Sequence, residues 1–100
     1  MKVYELKPES QKSFYGKATV FQIGNRALLK SYDTEVCEIN TATGDFVRYW
    51  DGFSATTHKH INAFRAAFGL DRMTGKEWRG LPVARFEWVK FYAPVMASMN

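Results

Sequence analysis

Tyr49-Trp50-Asp51-Gly52-Phe53-Ser54-Ala55-Thr56-Thr57-His58-Lys59-His60-Ile61-Asn62-Ala63-Phe64-Arg65-Ala66-Ala67-Phe68-Gly69-Leu70 is the stretch from which the fold is read. It runs as the end of a strand, a turn at Asp51-Gly52-Phe53, a helix and a glycine stop. Ser54 or Thr56 caps the helix, because a hydroxyl oxygen accepts a bond from an unpaired first-turn N–H. At about 100° per residue, Ile61, Phe64 and Phe68 share one stripe with Thr57, flanked by His60, Ala63 and Ala67. His58, Lys59, Asn62, Arg65 and Ala66 fall opposite. Gly69 ends the helix as a residue free to enter the left-handed region. A helix over about 55–68 with such a stripe needs an apolar layer to lie on.

The preceding residues supply that layer. Lys17–Ile23 is rich in Thr, Val, Phe and Ile, and Gly24-Asn25 suits a tight hairpin. Arg26–Tyr32 follows as a second strand, Glu35–Asn40 as a third and Phe46–Trp50 as a fourth, with turns at Asp33-Thr34 and Thr41–Asp45. Short strands joined by short turns make an antiparallel meander. In Arg26–Tyr32, Ala27, Leu29 and Ser31 share the face expected under the helix. Leu28 and Tyr32 stand with Arg26 and Lys30 on the other, which reads as a partly covered face or a contact surface. Residues 1–12 read as an arm or a first edge strand.

Beyond Leu70 the pattern loosens. Thr74-Gly75-Lys76-Glu77 has capping-box spacing and opens a short helix, which Gly80-Leu81-Pro82 breaks. Val83–Tyr92 fits either an alternating strand or a helix with Pro82 at its first position, and the helix is the favoured reading. Pro94–Asn100 reads as a loose tail. The expectation is one α+β domain over residues 1–100: an antiparallel β-meander of about four strands, one packed amphipathic helix and a C-terminal helical extension.

Bulk properties exclude more than they assign. The single cysteine, Cys37, rules out an internal disulfide, and its alternation with Ile39 reads as a buried thiol. The first residues lack a hydrophobic signal core, and no apolar run approaches the roughly 20 residues of a membrane span, so a cytoplasmic protein is expected. His58 and His60 sit about 200° apart on a helix and cannot share an ion. No glycine-rich phosphate loop and no paired carboxylates occur, so no catalytic residue, metal or cofactor is assigned. His60 is expected as a core histidine bonded to a hydroxyl such as Thr56 or to a backbone carbonyl.

Charge is distributed unevenly. Residues 1–56 are neutral, whereas residues 57–100 carry seven Lys/Arg against three Asp/Glu, which accounts for the net charge of +4. Lys59, Arg65, Arg72, Lys76, Trp78, Arg79, Arg85, Trp88 and Lys90 interleave rings and cations and form the candidate binding surface. The competing reading places Trp78, Phe86 and Trp88 in the core and the cations in water.

Ser31-Tyr32-Asp33-Thr34-Glu35-Val36, then Trp50, then Ser54–Phe64 carry a pattern Ser-Tyr-x-Thr-x-Val, Trp, Ser-x-Thr-Thr-x-x-His-Ile-x-x-Phe. It resembles a family of small proteins encoded by phages, prophages and other mobile elements of bacteria. The resemblance covers roughly residues 14–70 and implies origin more than activity. It implies a non-enzymatic protein that acts stoichiometrically on a host protein or ribonucleoprotein in the bacterial cytoplasm. Its sharpest form is an anti-CRISPR inhibitor. The alternative is a nucleic-acid-binding accessory protein contacting RNA or DNA through the basic second half. A small nuclease or toxin using His60 or His58 stands third.

Overall fold

The expected meander forms, with one strand more than the turn signals predict. The structure is a computed structural model that describes residues 1–8 and 14–98. Its strands are β1 (Lys2–Glu5), β2 (Ala18–Ile23), β3 (Arg26–Ser31), β4 (Thr34–Asn40) and β5 (Phe46–Arg48). They lie in chain order in one sheet, each antiparallel to the next. Of the two readings of the N-terminal residues, the edge strand holds for β1, while residues 9–12 of that segment lie outside the described residues. The expected ends at Tyr32 and Trp50 shorten, because Tyr32-Asp33 forms the β3–β4 turn and the chain leaves the sheet after Arg48. A register shift between Leu29 and Lys30 leaves Val36 unpaired in the ladder. Its carbonyl instead accepts the N–H groups of Tyr49 (2.8 Å) and Trp50 (3.1 Å), which turns the chain out of β5.

Helix α1 (Ala55–Ala67) lies where the stripe predicts. Ser54 is the cap, its hydroxyl accepting the Thr57 N–H at 3.1 Å, and Thr56 is exposed. Gly69 takes φ +77° just past the helix end. The core beneath α1 joins Ile61 and Phe64 to Val20, Ala27, Leu29, Cys37 and Ile39, and Phe64 is fully buried. One assignment is reversed: Asn62, expected on the outer face, is buried. The residues before α2 (Gly75–Gly80) fold back across it, and its amide brackets Met73, accepting that residue's N–H at 2.7 Å and donating to its carbonyl at 3.1 Å. The capping box of α2 closes as expected, between Thr74 and Glu77.

The second face of the sheet is covered by α3 (Trp88–Ala97), whose Phe91 is buried against Ile23 and Leu28. This explains the imperfect alternation of β3, which is buried on both sides. Two C-terminal expectations are corrected. The helix starts at Trp88 rather than at Pro82, since Val83 bridges in parallel to Arg48 and Ala84 donates to the Arg48 carbonyl at 2.8 Å, which holds this stretch extended. Residues 94–97, expected in a loose tail, belong to α3, with Pro94 inside it, while residues 99–100 of that tail lie outside the described residues. Under α3, Glu38 takes two bonds from Arg26 (2.6 and 2.8 Å) and one from the Tyr49 hydroxyl (2.7 Å). The Arg26 guanidinium lies 5.0 Å from the Phe91 ring centre. Burial and this carboxylate push the Tyr49 hydroxyl well above the usual tyrosine range.

Arg48 connects the sheet to everything after it. It is 5% exposed, and its guanidinium lies 4.7 Å from the centre of the Trp78 ring. It donates to the carbonyls of Trp50 (2.9 Å), Trp78 (3.0 Å), Arg79 (3.3 Å) and Leu81 (3.1 Å). The last three close the C-terminus of α2, where carbonyls lack partners and a cation is favoured.

Three substitutions test this packing. Phe64→Asp is expected to unfold the domain and Lys59→Asp to change stability by less than about 0.5 kcal/mol, read by circular dichroism melting. Arg48→Lys keeps the charge but loses the fork and the flat stacking surface, and is expected to cost about 3 kcal/mol in urea denaturation.

Candidate functional site

The nine residues proposed as one binding surface divide into separate groups. Trp78 is fully buried, its indole N–H donating to the Gly52 carbonyl at 2.8 Å, so it belongs to the core and is withdrawn as a contact residue. Arg65 donates from Nε to the Asp71 carbonyl at 2.7 Å and lies 4.7 Å from the Phe46 ring centre, so it pins the segment after α1. Arg79 lies 4.5 Å from the Phe53 ring centre. Arg72 and Lys76 are exposed around α2, and Lys59 is exposed on α1. Arg85, Trp88 and Lys90 are brought together around the start of α3.

That last group is the most developed surface. α3 turns Phe91 inward and leaves Trp88 59%, Val89 54% and Met96 38% exposed. Ala93, Pro94 and Ala97 are exposed as well, and Lys90 is the one charged residue within the helix. Lys90 pairs with Glu87 at 3.0 Å, and that contact holds the Glu87 carboxyl below its usual range. A hollow of about 300 Å³ runs between Arg85, Phe86, Trp88 and Val89. The sequence singles out Trp88 but not Val89, which carries no charge or ring, nor Met96, which falls in the stretch read as a tail. An extended helix there would have set those positions on the side opposite Phe91 and Val95.

The histidines face different partners. His58 Nε2 lies 2.7 Å from the Met73 carbonyl oxygen, and its ring stands 5.3 Å from that of Phe53. His60 is buried, as expected, but its hydroxyl partner is Ser31 rather than Thr56: Nδ1 lies 2.7 Å from Ser31 Oγ, which is itself 3.2 Å from Thr57 Oγ1. The Phe14 ring packs edge-on against the His60 ring at 4.5 Å. Burial lowers the pKa of His60 below its ordinary value and keeps the ring neutral. Cys37 is fully buried and burial pushes its thiol up, which suits a small apolar side chain. Among the described residues, no three His, Cys, Asp or Glu side chains are grouped to hold a metal ion, and no helix is long and apolar enough to cross a membrane.

The chain belongs to DUF8033, a family of unknown function, whose profile matches residues 1–80. The match spans the whole sheet, α1 and α2. No curated protein and no solved structure matches the chain.

A histidine whose folded-state pKa lies below its unfolded value leaves the folded protein with fewer bound protons, so stability falls as the pH drops through the unfolded value. The melting temperature is therefore expected to decline between about pH 7 and pH 5, and His60→Gln to flatten that slope.

Proposed function

We propose that this protein is a non-enzymatic binding protein that acts stoichiometrically by docking the outer face of α3 onto a protein partner. The observation that carries the reading is the exposure of Trp88, Val89 and Met96 on one helix whose inner face is already seated on the sheet. Isolated surface hydrophobes are ordinary, but a helix face built of them, next to a hollow, is what interfaces use. Tryptophan and arginine are the side chains most often found at the energetic centre of such contacts, and Trp88 and Arg85 line the same hollow. A host protein or ribonucleoprotein in the bacterial cytoplasm is the partner class that the resemblance to phage and mobile-element proteins implies. An inhibitor of a host defence complex is its sharpest form.

The alternative, a nucleic-acid accessory protein, would need a continuous track of available cations. Several second-half cations are instead engaged within the fold, with Arg65 and Arg79 held over rings and Lys90 paired to Glu87. That engagement favours the protein partner.

The two readings differ in their response to salt. A one-to-one complex recovered from host lysate should survive about 0.5 M salt, since burying apolar surface is not screened. Trp88→Ala should weaken it by about 30-fold and Val89→Asp should abolish it, with melting curves unchanged for both. Binding that disappears with salt and ignores both substitutions would overturn the proposal in favour of phosphate contacts.

A further inference from the structure

A second hollow, of about 300 Å³ in scale (310 Å³), opens on the α1 side of the sheet. Tyr15, Lys17, Tyr32, Thr56, Lys59 and His60 line it, with Phe14 behind His60. Its aromatic rim is built at a cost. Tyr15 and Tyr32 are the two described non-glycine residues with positive φ, each at 54°. In that region an L side chain crowds its own carbonyl, and glycine is the residue the backbone favours. Tyr15 is 78% and Tyr32 52% exposed. Both lie in tight turns, Tyr15 beside Gly16 and Tyr32 between β3 and β4, where the reversal calls for positive φ and where tyrosine stands in place of the usual glycine or asparagine.

The charge of the hollow is one-sided. Lys17 Nζ lies 5.1 Å from the Tyr32 ring centre, held by an aromatic face, and Lys59, which also lines the hollow, is exposed. Among the described residues neither lysine pairs with a carboxylate. Glu5, behind the Tyr15-Gly16 turn, accepts the Gly16 N–H at 2.8 Å. Rings that offer stacking faces beside ammonium groups match a planar base carrying a phosphate. The volume is at the small end for ligand cavities and suits one such unit.

We propose that this hollow binds a single nucleotide, its base against Tyr15 and Tyr32 and its phosphate between Lys17 and Lys59. The unit is either a free mononucleotide or one residue of a single strand. The site is independent of the α3 surface, which lies on the other face of the sheet.

Isothermal titration of the full chain with adenosine 5′-monophosphate, adenosine, orthophosphate and a single-stranded DNA pentanucleotide tests it. Saturable one-to-one binding of the monophosphate is expected, with adenosine and orthophosphate each at least about tenfold weaker. Tyr32→Gly and Lys59→Ala should each weaken it by about tenfold or more, while Tyr32→Gly melts no lower than the wild type because the strain is gone. A pentanucleotide that binds more tightly and with steep salt dependence identifies the strand as the source; one that binds no more tightly identifies the free nucleotide. The proposal is overturned by the absence of saturable binding of either ligand, by binding that both variants retain, by orthophosphate binding as well as the monophosphate, or by a Tyr32→Gly protein that melts well below the wild type.

Discussion

A buried guanidinium, Arg48, holds the two halves of this protein together. The first half is a meander whose strands β2 to β5 are joined by short turns. The second half contains two short helices and extended links, with little to fix them by local preference alone. Arg48 supplies that fixing from the last residue of β5. Its fork closes the carbonyl end of α2, its plane covers Trp78, and its own backbone holds Val83 and Ala84. Asp51, with which it pairs at 3.8 Å, has an 87% exposed side chain, so the carbonyl dipoles carry most of the compensation for burying the charge.

The placement of α3 follows from that anchor. Once Val83 and Ala84 are tied to Arg48, the chain is delivered to the sheet face that α1 does not cover. That face carries an ion pair, Arg26–Glu38, with a tyrosine hydroxyl on the same carboxylate. Phe91 and Phe86 then pack over these groups: Arg26 lies over the Phe91 ring and Tyr49 meets Phe86 edge-on at 5.2 Å. Of the positions this ten-residue helix turns to water, Lys90 alone is charged, and the others are Trp88, Val89, Met96 and three small or cyclic residues. The apolar outer face is therefore a property of this helix as a whole and not of one stray side chain.

The legible parts of the fold were those governed by short-range rules. Hairpin dipeptides located β2 to β4, helical periodicity located α1 with its Ile61–Phe64 stripe, and the Thr74–Glu77 spacing located α2. Long-range partners decided the rest. Asn62 lies on the polar side of its helix by rotation, yet Met73 returns from eleven positions along the chain to bond both ends of its amide. Nothing local marks Arg48 as different from Lys30 on β3, because its partners in α2 lie about thirty residues away. Pro94 argued for a tail, but proline within an exposed helix removes one N–H bond, and packing of Phe91 and Val95 against the sheet outweighs that loss. The candidate site was legible at Arg85, Trp88 and Lys90, whose closeness in sequence alone brings them together. The tyrosine hollow was not, because positive φ at Tyr15 and Tyr32 has no signature in residue type.

The formal charge of +4 misleads for a related reason. Counting cations treats each as available to an anionic partner, but the fold has already assigned several of them. Arg48 is held by carbonyls, Arg26 by Glu38, Arg65 by the Asp71 carbonyl and the Phe46 ring, and Arg79 by the Phe53 ring. Arginine suits these places because its plane stacks and its five donors fan out, whereas lysine keeps a compact hydrated charge on a mobile stem. It is accordingly two lysines, Lys17 and Lys59, that stand at the edge of a cavity with no carboxylate partner among the described residues. Their usefulness to a ligand comes from position beside aromatic rings, and a tally of net charge by halves of the chain places one of them in the neutral half.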